Sequence, residues 1–523
     1  MKWPWIALFG ICAVLTATLG WAGFTHPWDV QSSAAVVTPH DDVVAATEQV
    51  RRVATAQVRN VVLTAATTMV DVGGRSVSTW AFNGQVPGPQ INAQVGDVIR
   101  ARVVNRLPEP LTVHWHGIAI RNDMDGVPDQ TQPPIAPGGE FTYEFTVAHE
   151  GSYFYHSHVG LQMDRGLYGA LIVSPKKATS QRDIPMLLDD WTDGLGKTPD
   201  QLLAQLRAGG SSSGMGGMNH GGSGMGGMNH GGSGMGGMNH GGSGMGDMGG
   251  STSASNPLGT DTVDLDYPTY LINGHSSQSP NIVNVAPNET VRLRFINAGT
   301  STPFRVATGD GPMTVVATDG FNVEPIKANA LVIGMGERYD VLVTAPKSGS
   351  LPVVARVEGK TAQVMSVLRV NSAPLPNSAA NPIGLTQEPL PVSALHSTAE
   401  NALPVKAADV AYDVTLSGGM MGYDWSLDAP TVNGVTMPLR RGQRVRLNIV
   451  NNTMMWHPIH LHGHTFQIVT GNGAGPRKDT VPVAPMTTVA VEFDADNPGQ
   501  WMLHCHNLYH SEAGMMTTLS YLK

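Results

Sequence analysis

Four short histidine motifs carry residue types able to do metal chemistry. His114-Trp115-His116-Gly117 and His156-Ser157-His158 stand early in the chain. His457-Pro458-Ile459-His460-Leu461-His462-Gly463-His464 and His504-Cys505-His506, followed by His510 and Met515, stand late. Imidazole binds copper, zinc, iron and nickel, while thiolate and thioether sulfur select softer ions such as Cu(I). One His-x-His pair is weak evidence, because residues two apart on a strand share a face by geometry alone. Four such clusters in one chain point to bound metal.

Strand parity sorts these residues. On an extended backbone Cys505 points away from His504 and His506, so one strand serves two sites, one on each face. His460 and His462 share a face, and His457 has the opposite parity. His457 therefore belongs with Cys505, while His460 and His462 belong with His504 and His506. His510 and Met515 follow Cys505 after short loops. Two His, one Cys and a distant Met form the ligand set of a blue-copper electron-transfer centre. Eight histidines remain: His114, His116, His156, His158, His460, His462, His504 and His506. Half come from each end of the chain, so their cluster lies between the first and last folded units. Three copper ions suit eight imidazoles. The other cysteine, Cys12, lies in an apolar N-terminal stretch, so no disulfide within the folded chain is expected and Cys505 is a lone thiol.

The elements that position these residues are β-strands. The chain has 523 residues, enough for roughly three domains. Charged residues are only 14% and aromatics 6%, with 61 Gly and 36 Pro, which suits loop-rich β structure. The net charge of −9 and the lack of a basic face exclude nucleic acid as a partner class. One pattern occurs three times, at residues 82–105, 272–297 and 432–451. Each copy has Asn-Gly, a turn, then an alternating strand that ends in Asn. Three copies predict three similar β-sandwiches near 56–175, 180–372 and 400–523, with a linker at 373–399. Residues 1–55 read as a signal or membrane anchor (the apolar run 3–24) followed by a tether, which places the folded chain outside the cytoplasm, in the periplasm or extracellular space, either released or anchored. Residues 209–250 repeat GMGGMNHGGS and cannot bury a core. They carry Met215, Met218, His220, Met225, Met228, His230, Met235, Met238, His240, Met245 and Met248. A spacer has no need of thioethers, so auxiliary capture of Cu(I) is the reading favoured over a neutral linker.

Together these motifs resemble the three-domain multicopper oxidases, the family of laccases and bacterial cuprous oxidases, from about residue 59 to residue 523. The resemblance implies an all-β chain of three cupredoxin-like Greek-key β-sandwich domains. It implies four copper ions. His457, Cys505, His510 and axial Met515 would bind type 1 copper, and His114 and His460 type 2 copper. His116, His156, His158, His462, His504 and His506 would bind the type 3 pair. It also implies the chemistry: electrons enter at the type 1 copper, pass through Cys505 and its neighbours His504 and His506, and reduce dioxygen to water. In the family an acid lies about nine residues after the second His of the first motif. Asp125 takes that place and is the expected proton relay, although Asp before Gly is also an ordinary turn. Glu512 is a second relay candidate. His464 is expected to pack rather than to ligate.

The ending HCHNLYHSEAGMM and the Met/His tract resemble the copper-resistance branch. Met420, Met421, Met454 and Met455 add soft sulfur, and core packing would explain some of them equally well. Family members often carry an acid four residues before the first type 1 His, where this chain has Thr453. The expected reaction is oxidation of Cu(I) to Cu(II) with dioxygen as acceptor, in copper tolerance, by a monomer. A laccase acting on phenols or aryl amines is the alternative enzyme. A copper-sequestering protein is the alternative of another class, and the eight cluster histidines argue against it because storage does not need them. A copper nitrite reductase needs no fully paired histidine set.

Overall fold

A computed structural model describes residues 36–177, 181–209, 256–309 and 311–523. The apolar run 3–24, Cys12 and the Met and His residues of the 209–250 tract lie outside the described residues. Three two-sheet β-sandwiches follow one another over 58–174, 182–370 and 410–521. Each begins with a strand that pairs in parallel with the alternating strand of its sequence repeat. The pairs are Val58–Val72 with Val98–Asn105, Arg182–Trp191 with Thr290–Asn297, and Val410–Gly419 with Arg444–Asn451. The opposite sheet of each unit has a second parallel pair: Ile91–Gln94 with Tyr168–Ser174, Ile282–Val285 with Gln363–Val370, and Pro438–Leu439 with Met516–Tyr521. The remaining pairings within these sheets are antiparallel.

Both ends of the repeated pattern have a physical reason. Asn83, Asn273 and Asn433 have φ of +54°, +53° and +51°, and Gly84, Gly274 and Gly434 follow at +76°, +80° and +77°. Two left-handed residues in a two-residue loop match the twist of the flanking strands, and Asn-Gly adopts that turn at least cost. The closing residues Asn105, Asn297 and Asn451 are buried. The side-chain amide of each donates to carbonyls of the following loop and of a neighbouring segment: Glu109 and Ile135, Thr302 and Ile333, Met455 and Val483. The side-chain oxygen of each accepts from the backbone two residues on, at Leu107, Gly299 and Thr453 (2.9 Å each). In the first and third units the loops pinned this way lead to His114 and His457.

The tether expected at 25–55 is corrected from Val36 onward. Val37 donates to Tyr521 O at 2.7 Å, and the helix Asp42–Arg51 buries Val44. Glu48 on that helix accepts from Thr146 N and Oγ1 at 2.8 and 2.7 Å, which offsets the cost of burying its carboxylate. Segment 373–399 lies along the middle sandwich, with Leu385 and Leu395 buried. Among the described residues no helix is long and apolar enough to cross a membrane.

Candidate metal centre

Two neighbouring strands of the third sandwich carry His457, His460, His504 and Cys505, and His462 and His506 follow directly after them. His457–Leu461 pairs with Gln500–Cys505 in a register that sets Ile459 opposite Cys505 and His460 opposite His504. His457, two residues before Ile459, thus shares a face with Cys505, and His460 shares the other face with His504. In the first sandwich His114 stands opposite His156 and His116 opposite Phe154, so these rings also share one face. The two sandwiches bring these faces together. His114 stacks on His462, and His116 on His460, each at 3.8 Å between ring centres.

The eight histidines gather into three groups whose ring nitrogens lie within 4.8 Å of one another. They are His114, His116 and His460; His116, His156 and His506; and His158, His462 and His504. Their hydrogen bonds show which nitrogen faces inward. A carbonyl can only accept, so the Nδ1 atoms of His114, His156, His460 and His504, facing the carbonyls of Asp125, Ser157, Asp479 and Cys505 at 2.8–2.9 Å, carry their protons. Each Nε2 is then a bare lone pair. Those of His114, His156 and His460 are buried without a hydrogen-bond partner, as are both ring nitrogens of His506. His462 Nδ1 faces Asp125 Oδ2 at 2.9 Å, which turns its Nε2 lone pair toward His504 Nε2, 3.1 Å away. Buried lone pairs that face each other repel, and a buried unmet acceptor costs about 1–3 kcal/mol. A cation among them removes both penalties, so these residues fit a metal cluster. Burial holds His116, His156, His462, His504 and His506 well below the usual imidazole range. They are therefore neutral, as ligands must be.

On the other face His457 Nδ1 and His510 Nδ1 lie 3.0 Å apart, with Cys505 Sγ 3.8 Å from each. The same logic applies. The single proton of the Thr453 hydroxyl goes to Asn451 Oδ1 or Met455 O, 2.8 and 3.0 Å away, which leaves Oγ1 to accept from His457 Nε2 at 2.8 Å, while Asp264 Oδ2 faces His510 Nε2 at 2.8 Å. Both Nδ1 lone pairs point at each other and at the thiol. Burial pushes the Cys505 thiol well above its ordinary range, so a thiolate here needs a cation beside it. Met515 is fully buried, and its carbonyl accepts from Cys505 N at 3.0 Å.

The flanking residues fall into two sets. Asp125 is brought to the cluster: it touches His462 through its carboxylate and His114 through its carbonyl. Glu512 is not. Its charged neighbours are Arg207 and Asp200 on the helix Pro199–Arg207, and burial pushes its carboxyl up to about 7. The short helix Leu508–Glu512 turns it toward that neighbour, so closeness in sequence to His510 did not make closeness to the cluster. His464 packs as expected, between His462 O (3.1 Å) and Tyr521 Oη (2.7 Å). Thr453 faces His457 Nε2 and orients its ring.

Asp479 and Asp264 escaped sequence reasoning. Asp479 Oδ1 faces His116 Nε2 at 3.1 Å. Burial alone would raise its carboxyl, but Arg338 and hydrogen bonds to His116 and His460 hold it well below the usual carboxylate range. The one local signal was the charged run Arg477-Lys478-Asp479 where two short strands meet. Asp264 comes from the middle sandwich, and nothing around it in the sequence marks it. Replacing Asp264 by Asn would remove the carboxylate that fixes the tautomer of His510. We expect about 10- to 100-fold weaker copper binding at the Cys505 site, read by copper titration of the blue absorption.

A thiolate–imidazole site joined through one strand to a histidine cluster between two sandwiches defines a copper protein of the cupredoxin-like class. Family models for multicopper oxidases match residues 64–178, 251–373 and 407–522. The multicopper oxidase MmcO of Mycobacterium tuberculosis is 41% identical over 462 residues, 87% of this chain and 85% of that one. A copper resistance protein A homolog of Pseudomonas syringae is 28% identical, covering 87% of this chain and 90% of its own. The crystal structure of the laccase from Botrytis aclada superposes with a TM-score of 0.68 at 25% identity, over 90% of this chain and 88% of the other. The chain belongs to the multicopper oxidase family and is an oxidoreductase. Its family binds copper and uses dioxygen and a reducing substrate.

Proposed function

We propose that this multicopper oxidase oxidises Cu(I) to Cu(II) and hands the electrons to dioxygen, acting outside the cytoplasm in copper tolerance. Four copper ions fit the donors: type 1 on His457, Cys505, His510 and Met515; type 2 on His114 and His460; and the type 3 pair on His116, His156, His158, His462, His504 and His506. Copper held there supplies one-electron redox chemistry and a place for dioxygen to be reduced. The chain's own residues join the two centres. Cys505 belongs to one centre, and its covalent neighbours His504 and His506 belong to the other. In this reading Asp125, in contact with His114 and His462, holds a proton beside the cluster.

The choice of Cu(I) rests on one observation. Among the described residues, exposed thioethers crowd the loops beside the Cys505 centre: Met421, Met454 and Met486 are 95%, 46% and 63% exposed. Their loops are tied together, with Asn452 N donating to Leu416 O, and Asn451 bonded to Ala484 and Thr487. Thioether sulfur prefers Cu(I), and exposing it to water serves no packing purpose. Met455 is buried and Met420 packs on the core, so those two are structural. The name of the copper resistance relative also favours this substrate.

Oxygen uptake with Cu(I) and with a dimethoxyphenol, run side by side, tests the reading. Faster, saturable uptake with Cu(I) is expected. A chain faster on the phenol is a laccase. Deleting 209–250 is expected to slow Cu(I) oxidation more than phenol oxidation, and equal loss on both would count against copper delivery by that tract.

A further inference from the structure

Among the described residues the middle sandwich gives no histidine to either centre, yet its 334–338 turn is pressed against the cluster. A Cβ on Gly336, at φ +81°, would stand 2.9 Å from His506 Cγ and 3.1 Å from His116 Cε1. Two residues on, Arg338 is fully buried and touches all three sandwiches. Its Nε donates to Ser152 O in the first sandwich at 3.0 Å. Its Nη1 and Nη2 donate to the two carboxylate oxygens of Asp479 in the third, at 2.6 Å each.

That carboxylate faces His116, while the Asp479 carbonyl accepts from His460 Nδ1 at 2.9 Å. His116 and His460 come from different sandwiches and share one ligand group. Asp319 of the middle sandwich accepts from the backbone N–H of Asp479 and Thr480 at 3.1 and 3.2 Å, so the same unit also grips the main chain there. A buried ion pair adds little stability over well-packed apolar residues. A guanidinium, however, fixes both the place and the plane of a carboxylate through two parallel bonds.

We propose that Arg338 is a positioning residue for the histidine cluster. The middle sandwich, through Arg338, holds Asp479 so that His116 and His460 present their free nitrogens to the same copper cluster. The inference rests on reading the eight histidines as the copper cluster.

The test uses the full chain, stripped of copper and titrated with it. Bound copper is measured by metal analysis, the Cys505 centre by its blue absorption, and the cluster by electron paramagnetic resonance. With Arg338→Lys, which keeps the charge but not the two parallel bonds, cluster copper is expected to bind about 10- to 100-fold more weakly. The blue absorption should be unchanged. Arg338→Met should lose more than Arg338→Lys. Should Arg338→Met fail to fold, the double variant Arg338→Met/Asp479→Asn, which leaves no unpaired buried charge, is expected to keep the blue centre and lose cluster copper. Cluster affinity equal to the parent's in Arg338→Lys would overturn the proposal, as would parallel loss of both centres in every variant. A parent chain that takes up no copper at the histidines would overturn the reading of the site instead.

Discussion

Replacing Cys505 by Ser is expected to abolish the blue absorption and to cut oxygen consumption by more than the roughly 10- to 100-fold that loss of an outer partner costs. Among the described residues Cys505 is the one thiol within reach of His457 and His510, so no described neighbour can replace it. Its strand also carries His504, and the next residue is His506. The substitution therefore removes the donor of one centre and breaks its covalent link to the other. The fold should survive. Serine is nearly the same size, the bond from the backbone N–H of this position to Met515 O does not involve the side chain, and a hydroxyl can donate to either facing Nδ1. The check is visible absorption and an oxygen electrode, with thermal unfolding of the copper-free chain as the control. A Cys505→Ser chain that stayed blue and active would show that the ligand assignment is wrong.

Asp125→Ala is expected to lower oxygen turnover by about 10- to 100-fold and to leave the blue colour in place. The carboxylate is the partner that keeps the proton of His462 on Nδ1 and its lone pair facing His504. Alanine leaves that ring free to rotate or to change tautomer. The Asp125 carbonyl would still hold His114, so the cluster should be misaligned rather than dissolved. Asp125 makes no contact with His457, Cys505 or His510. Reduction of the blue centre by substrate under anaerobic conditions should accordingly keep its rate, while reoxidation by oxygen slows. Loss of both steps together would mean that Asp125 stabilises the fold and not the cluster.

What could be read from the sequence was local. The three Asn-Gly turns and the three closing asparagines need only their own neighbourhoods, and they announced three sandwiches. The alternation of side chains assigned His457 to Cys505 and His460 to His504, because parity along a strand survives folding. Contacts between sandwiches left no such trace. Asp264 reaches His510, and Arg338 reaches Asp479, across domain boundaries that no local pattern encodes. Glu512 misled for the converse reason: a short helix separates the directions of neighbours in sequence. The stretch from Val36 onward misled as well, because Val36 and Val37 find their partners at Tyr521 and Leu522, far along the sequence.

The most direct measurement is the ratio of Cu(I) oxidised to dioxygen consumed by the copper-loaded chain, with peroxide assayed in the same vessel. A four-electron oxidase balances four Cu(I), one dioxygen and four protons against four Cu(II) and two waters. The account predicts that ratio, sustained over many turnovers, with no peroxide accumulating. Two Cu(I) per dioxygen with peroxide released, or Cu(I) bound with no oxygen consumed, would contradict it.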